Sequence, residues 1–315
     1  MAVLLDFAGV HDLRTPFAAE WHFSFCRSGR HPSPILARSS ISQMIARYAG
    51  CTIESHSLTR AADLHVGLSG SLPALPFLVF GDAYYMPWLP YCGNQHIDHS
   101  AIVTAIDGSS AAIVDAYLVK TEWGDAHPIS TSVSLDALSA SMNALSSEHR
   151  GIAWTIRRTT TPALDINSTL HDNANAILHN VGHHQALHSF ADHFGSVGSE
   201  LDSQRAFALH CWLAMRTRLL HRRWLLDLAT THPDRLPISF VNDFQENVVE
   251  PWLKASGFAY IALRRLRDGR SPTDAAFRLI VEQIAPAELA AAERLCDAIV
   301  AAPGLTDESA RRSGC

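Results

Sequence analysis

The sequence predicts an α+β chain in which a mixed α and β domain is followed by an all-helical one. Two observations carry this. Short β-type runs bounded by turn residues crowd the first half, whereas after about Thr161 apolar residues recur at helical spacing with few strand signals. The length of 315 residues, at roughly 150 residues per domain, allows two cores, and we place the division at 1–160 and 161–315.

Each element has its own reason. Ser39 to Ala49 reads as a helix because Ile41, Met44, Ile45 and Tyr48 share one face, a serine can cap it and Gly50 stops it. Phe77 to Phe80 is a continuous apolar run between Pro76 and Gly81, the pattern of a buried strand. Ala101 to Ile106 and Ala111 to Tyr117 flank Asp107-Gly108-Ser109, which predicts an antiparallel hairpin. Ile152 to Arg158 is expected to be the last strand, and Thr159 to Pro162 marks the boundary. Helices are expected over Asp165–His179, Ser203–Thr230, Val241–Asp268, Thr273–Ile284 and Pro286–Ala301.

Composition narrows the function. Apolar residues make up 47% and charged residues 18% of the chain, which excludes a disordered or collagen-like protein. The net charge of -6 argues against a nucleic-acid partner. No apolar run is long enough to cross a bilayer and the first residues lack a secretory pattern, so no membrane partner and a cytoplasmic location are expected. Cys26, Cys51, Cys92, Cys211, Cys296 and Cys315 contain no CxxC pair, so neither a zinc ribbon nor a redox motif is written here. Cys51, Cys211 and Cys296 read as buried thiols.

The densest segment for chemistry is Gly81-Asp82-Ala83-Tyr84-Tyr85-Met86-Pro87-Trp88, followed by His96, Asp98 and His99 and then by the hairpin that ends near Asp115 and Tyr117. An Asp-x-Tyr-Tyr-x-Pro stretch after a strand, a histidine opening the next strand and an Asp-x-Tyr closing the following one resemble the butirosin biosynthesis protein H family of papain-like acyltransferases. The helical half is similar in texture to that family's companion domain. The resemblance implies a papain-like, cysteine-protease-type first domain with an antiparallel sheet. It also implies an acyl group carried by a cysteine, His99 as general base and Asp115 as the residue that orients it. His96 is the competitor of His99.

The resemblance places the thiol about thirteen residues before a Tyr-x-Gly helix end, here Tyr48-Ala49-Gly50, and counting back reaches Ala37. A helix N-terminus lowers a thiol's pKa and offers N–H groups to an oxyanion. Alanine can do no such chemistry, and three readings stay open: a replaced cysteine, another attacking residue (Ser40, Cys26 or Cys92), or a protein without catalysis. Asp82, Tyr84, Tyr85 and Trp88 are candidates for substrate contact, as is Ser40, and His31 is a candidate donor to the oxyanion.

By the same resemblance the donor is an acyl or aminoacyl thioester on an acyl or peptidyl carrier protein, with phosphopantetheine present only as part of that donor, and the acceptor is a small-molecule amine. Intramolecular attack would make the protein a cyclase; attack by water, a peptidase-like hydrolase. No cofactor is implied, since no Gly-rich phosphate loop occurs. Arg216, Arg218, Arg222 and Arg223 are the first candidate for docking an acidic carrier, with Arg264, Arg265 and Arg267 the second. His179, His183, His184 and His188 contain two i, i+4 pairs, but Gly182 interrupts them and no metalloprotease Glu accompanies them, so no metal site is expected there.

Overall fold

The structure is a computed structural model and describes residues 1–26, 32–58, 76–121, 123–145, 149–162, 164–196 and 200–301. It is a mixed α+β protein with a six-stranded antiparallel sheet. Two compact units divide the chain, Met1–Leu13 with Ser42–Pro162, and Arg14–Ile41 with Ala163–Cys315. This grouping differs from the 1–160 and 161–315 division at residues 14–41. The physical reason is aromatic: Trp21 and Phe23 are buried among rings of the helical half, Trp21 edge-on to Phe244 and Phe23 edge-on to Phe190. No helix among the described residues is long and apolar enough to cross a membrane.

In the first unit, helix α1 (Ala2–Phe7) lays Leu4 against the sheet. Helix α2 (Ile41–Ala49) ends at Gly50, whose φ of 63° is left-handed. A Cβ there would run into the carbonyl of Thr160, so only glycine fits this turn. Strands β1 (Cys51–Ser57), β2 (Phe77–Asp82), β3 (Asp98–Asp107), β4 (Ser110–Asp115), β5 (Ile129–Ser134) and β6 (Ile152–Arg158) form the sheet in the order β1-β6-β2-β3-β4-β5. The expected hairpin is β3–β4; it closes on Gly108-Ser109, with Gly108 at φ 56°.

Alternation along the strands sorts side chains by face. Phe77, Val79, Val103, Ala111, Ile113 and Val133 face helix α3 (Leu135–Ala144), whose Leu138 and Met142 complete that core. Leu78 and Ile102 lie on the other face with Leu4.

The second unit holds α4 (Ile166–Ile177), α5 (Ala186–Ser196), α6 (Leu201–Thr231), α7 (Ile238–Phe244), α8 (Glu250–Arg267), α9 (Ala275–Leu279) and α10 (Ala285–Ala301). Wider π turns at Leu178–His183, Gln245–Val249 and Ile280–Ile284 interrupt what the periodicity presents as plain α-helix. The 31-residue α6 buries Gln204, Phe207, Cys211, Ala214, Arg218, His221, Leu225 and Leu228. These steps alternate between three and four and draw one stripe.

Two polar members of that stripe correct the docking expectation for Arg218. Its guanidinium is 1% exposed and forks onto the fully buried carboxylate of Glu288, Nε to Oε1 at 2.8 Å and Nη2 to Oε2 at 3.2 Å. The indoles of Trp252 and Trp21 donate to the same carboxylate at 2.8 and 2.7 Å. Arg218 is a core residue and presents nothing to a partner. Burial, with the charge of Arg218 acting the same way, pushes His221 down to about 3, so the ring is neutral and its Nδ1–H donates to the Ala18 carbonyl at 2.8 Å. Arg216 and Arg223 are exposed and Arg222 is half-buried.

Candidate active site

The register brings the site together. β2 and β3 pair Gly81 with His99, and β3 and β4 pair Ile102 with Val114, which makes His99 and Asp115 diagonal neighbours on the α3 face at one end of the sheet. His99 Nε2 lies 2.7 Å from Asp115 Oδ2. Both side chains are shielded, at 10% and 4% exposure. Gly81, opposite His99, leaves no room for a side chain unless its neighbours shift, because a Cβ there would stand 2.6 Å from Ser141 Oγ and 2.7 Å from Met86 Cε.

Asp115 is held on both oxygens. The Trp88 indole donates to Oδ2 at 2.9 Å, and the backbone N–H of Tyr117 donates to Oδ1 at 3.0 Å. Burial alone would raise this carboxyl, but the hydrogen bond and charge of His99, the indole and the Tyr117 amide outweigh it and hold Asp115 below its ordinary value. An ionised carboxylate only accepts, so the shared proton sits on Nε2, and in the neutral imidazole the lone pair is then on Nδ1. That nitrogen makes no hydrogen bond among the described residues. The Tyr117 ring meets the imidazole edge-on at 4.9 Å and passes its hydroxyl to Tyr91 at 3.3 Å. The arrangement is suited to taking and returning a proton at Nδ1.

A second pair stands at the same end of the sheet. Alternation puts Asp82 on the opposite face of β2 from Gly81. Its Oδ2 is 2.6 Å from His96 Nδ1 and its Oδ1 accepts from the Tyr84 amide at 3.0 Å. His96 stacks on Tyr84 with ring centroids 4.3 Å apart and is 67% exposed, so water screens this pair far more than the first. Tyr85 is exposed. Trp88 has a structural part besides its candidacy for substrate contact, because its N–H is the second anchor of Asp115.

Ala37 lies in irregular chain four residues before α2 begins and belongs to the 14–41 segment of the second unit. Its neighbours answer one expectation differently. The N–H groups of Arg38 and Ser39 donate to Glu20 Oε2 at 2.7 and 3.0 Å, and Ser39 Oγ donates to Oε1 at 2.6 Å. Those two amides are therefore occupied by a carboxylate and not open to an oxyanion. The helix begins at Ile41 and not at Ser39. Ser40, Cys26 and Cys92 are exposed. His31 and Cys315 lie outside the described residues. Glu20 gave no signal in the sequence, since no spacing rule links a residue to amides 18 and 19 positions on.

Among the described residues no three His, Cys, Asp or Glu side chains gather to hold a metal ion. No protein-family model matches the chain, and no curated protein is significantly similar to it.

Proposed function

We propose that this chain has the machinery of an acyltransferase, one that moves an acyl group from a carrier-protein thioester to an amine with His99 as the proton-transfer group. The observation that carries the proposal is the shielded His99–Asp115 pair, anchored by Trp88 and Tyr117 and leaving Nδ1 available. Asp115 fixes the tautomer and stabilises the imidazolium that forms when Nδ1 takes a proton. The papain-like resemblance adds the acyl carrier, and it is the resemblance that joins position 37 to His99.

In that scheme a thiol at position 37 attacks the thioester carbonyl, its proton passes to His99, and the carrier's thiol leaves with a proton from the imidazolium. The amine then attacks the enzyme-bound thioester, and the released thiol is restored. As the sequence stands, alanine at 37 stops the first step. A binding protein that keeps the pair without turnover is the second reading, favoured by Ala37 itself and by Glu20 filling the Arg38 and Ser39 amides.

Intact-protein mass spectrometry tests the leading reading. Ala37→Cys incubated with an acyl N-acetylcysteamine thioester is expected to gain one acyl mass that the Ala37 protein does not gain. Equal labelling of the two proteins would move the nucleophile elsewhere, and no labelling would favour the binding reading.

A further inference from the structure

We propose that His179 and His184 form a bidentate imidazole site for a divalent first-row transition metal of the copper or nickel class, built by the π turn at the end of α4. An ordinary α-helix aligns residues three or four apart, so it would pair His179 with His183. The turn at Leu178–His183 is wider, and the His184 amide bonds the His179 carbonyl at 3.1 Å, an i to i−5 link. That link stacks His184 over His179. Gln185, at the left-handed φ of 48°, then ends the turn before α5 begins.

The two rings converge. Their Nε2 atoms are 2.9 Å apart, their centroids only 4.4 Å apart, and their planes stand at 86°. Rings pointing head-on at that nitrogen separation would hold their centroids farther apart, so the two ring axes are bent and not collinear, and one ion about 2 Å from each nitrogen, a metal–imidazole bond length, can bridge the pair. Two such donors at a right angle stand about 2.9 Å apart, whereas tetrahedral donors need more than about 3.3 Å. The spacing matches cis positions in square-planar or octahedral coordination more closely than tetrahedral ones. Both histidines are exposed, so the remaining positions are open to water or to a second ligand. The His183 ring is 6.1 Å from that of His179 and stands outside the pair. In the neutral pair, binding needs the proton between the two Nε2 atoms to move to Nδ1 of the ring that carries it, so that both Nε2 lone pairs face the metal and each ring is protonated at Nδ1.

The test uses the full chain without a histidine tag and Ni²⁺ alone as the probe, followed by calorimetry, with Cu²⁺ electron paramagnetic resonance as a second readout. One Ni²⁺ per chain is expected. His179→Gln and His184→Gln should each weaken it at least about tenfold, and His183→Gln should change it less than about threefold. The Cu²⁺ spectrum should show coupling to two equivalent nitrogens that either variant removes. Full affinity in His184→Gln, an equal loss in His183→Gln, or no Ni²⁺ binding would each overturn the proposal. All three side chains are exposed, and circular dichroism of the variants verifies the fold.

Discussion

In the Ala37→Cys protein, His99→Gln is expected to slow acylation by about 10²–10⁴-fold, the usual contribution of a positioned general base. The effect follows from one nitrogen. Glutamine can still reach Asp115 with its amide, so the shielded carboxylate keeps a donor and the fold survives, but nothing replaces the lone pair on Nδ1. The loss should fall on kcat, with KM little changed. Asp115→Asn should cost less than His99→Gln, because the imidazole remains and only its tautomer and orientation relax. Stopped-time mass spectrometry of the acylated protein measures all three rates. An acylation rate within about twofold of the His99 protein would remove His99 from the chemistry.

Glu288→Ala is expected to destabilise the second unit by about 3–5 kcal/mol, because it strands a buried guanidinium. Arg218 is 1% exposed and Glu288 is fully buried. Removing the carboxylate also strips the acceptor from the Trp21 and Trp252 indoles. Against a total stability of about 5–15 kcal/mol this is a large fraction. The whole pair is a different matter: Arg218→Met with Glu288→Leu leaves no charge unpaired and should lose much less than Glu288→Ala alone. Urea unfolding, followed by tryptophan fluorescence, compares the proteins. A loss under about 1 kcal/mol for Glu288→Ala would mean that Arg218 finds water or another acceptor.

The sheet end was readable because its signals are local. Gly108 announces a two-residue turn, and a tight antiparallel hairpin leaves His99 and Asp115 only one diagonal apart. Strands β1 and β5 escaped such a reading, since Cys51–Ser57 and Ile129–Ser134 are dominated by polar side chains and present little apolar alternation. Arg218 was legible and misjudged. It follows Ala214 by four and precedes His221 by three in a stripe that stays buried throughout, yet its charge argues for the surface when read beside Arg216 and Arg222. Periodicity outweighs residue type there because Glu288, 70 positions on, supplies the counter-charge. The His179–His184 contact is invisible in the sequence for a geometric reason. Helical spacing pairs residues four apart, and only the backbone shows that a π turn makes the partner five apart.

The most direct measurement follows the acyl group after loading. Acylated Ala37→Cys protein, freed of donor, is mixed with a small primary amine such as benzylamine, and the released product is identified by mass. The amide is expected as the main product, formed faster than free acid and dependent on His99. Free acid as the main product at saturating amine, or an acylated protein that releases nothing, would contradict it.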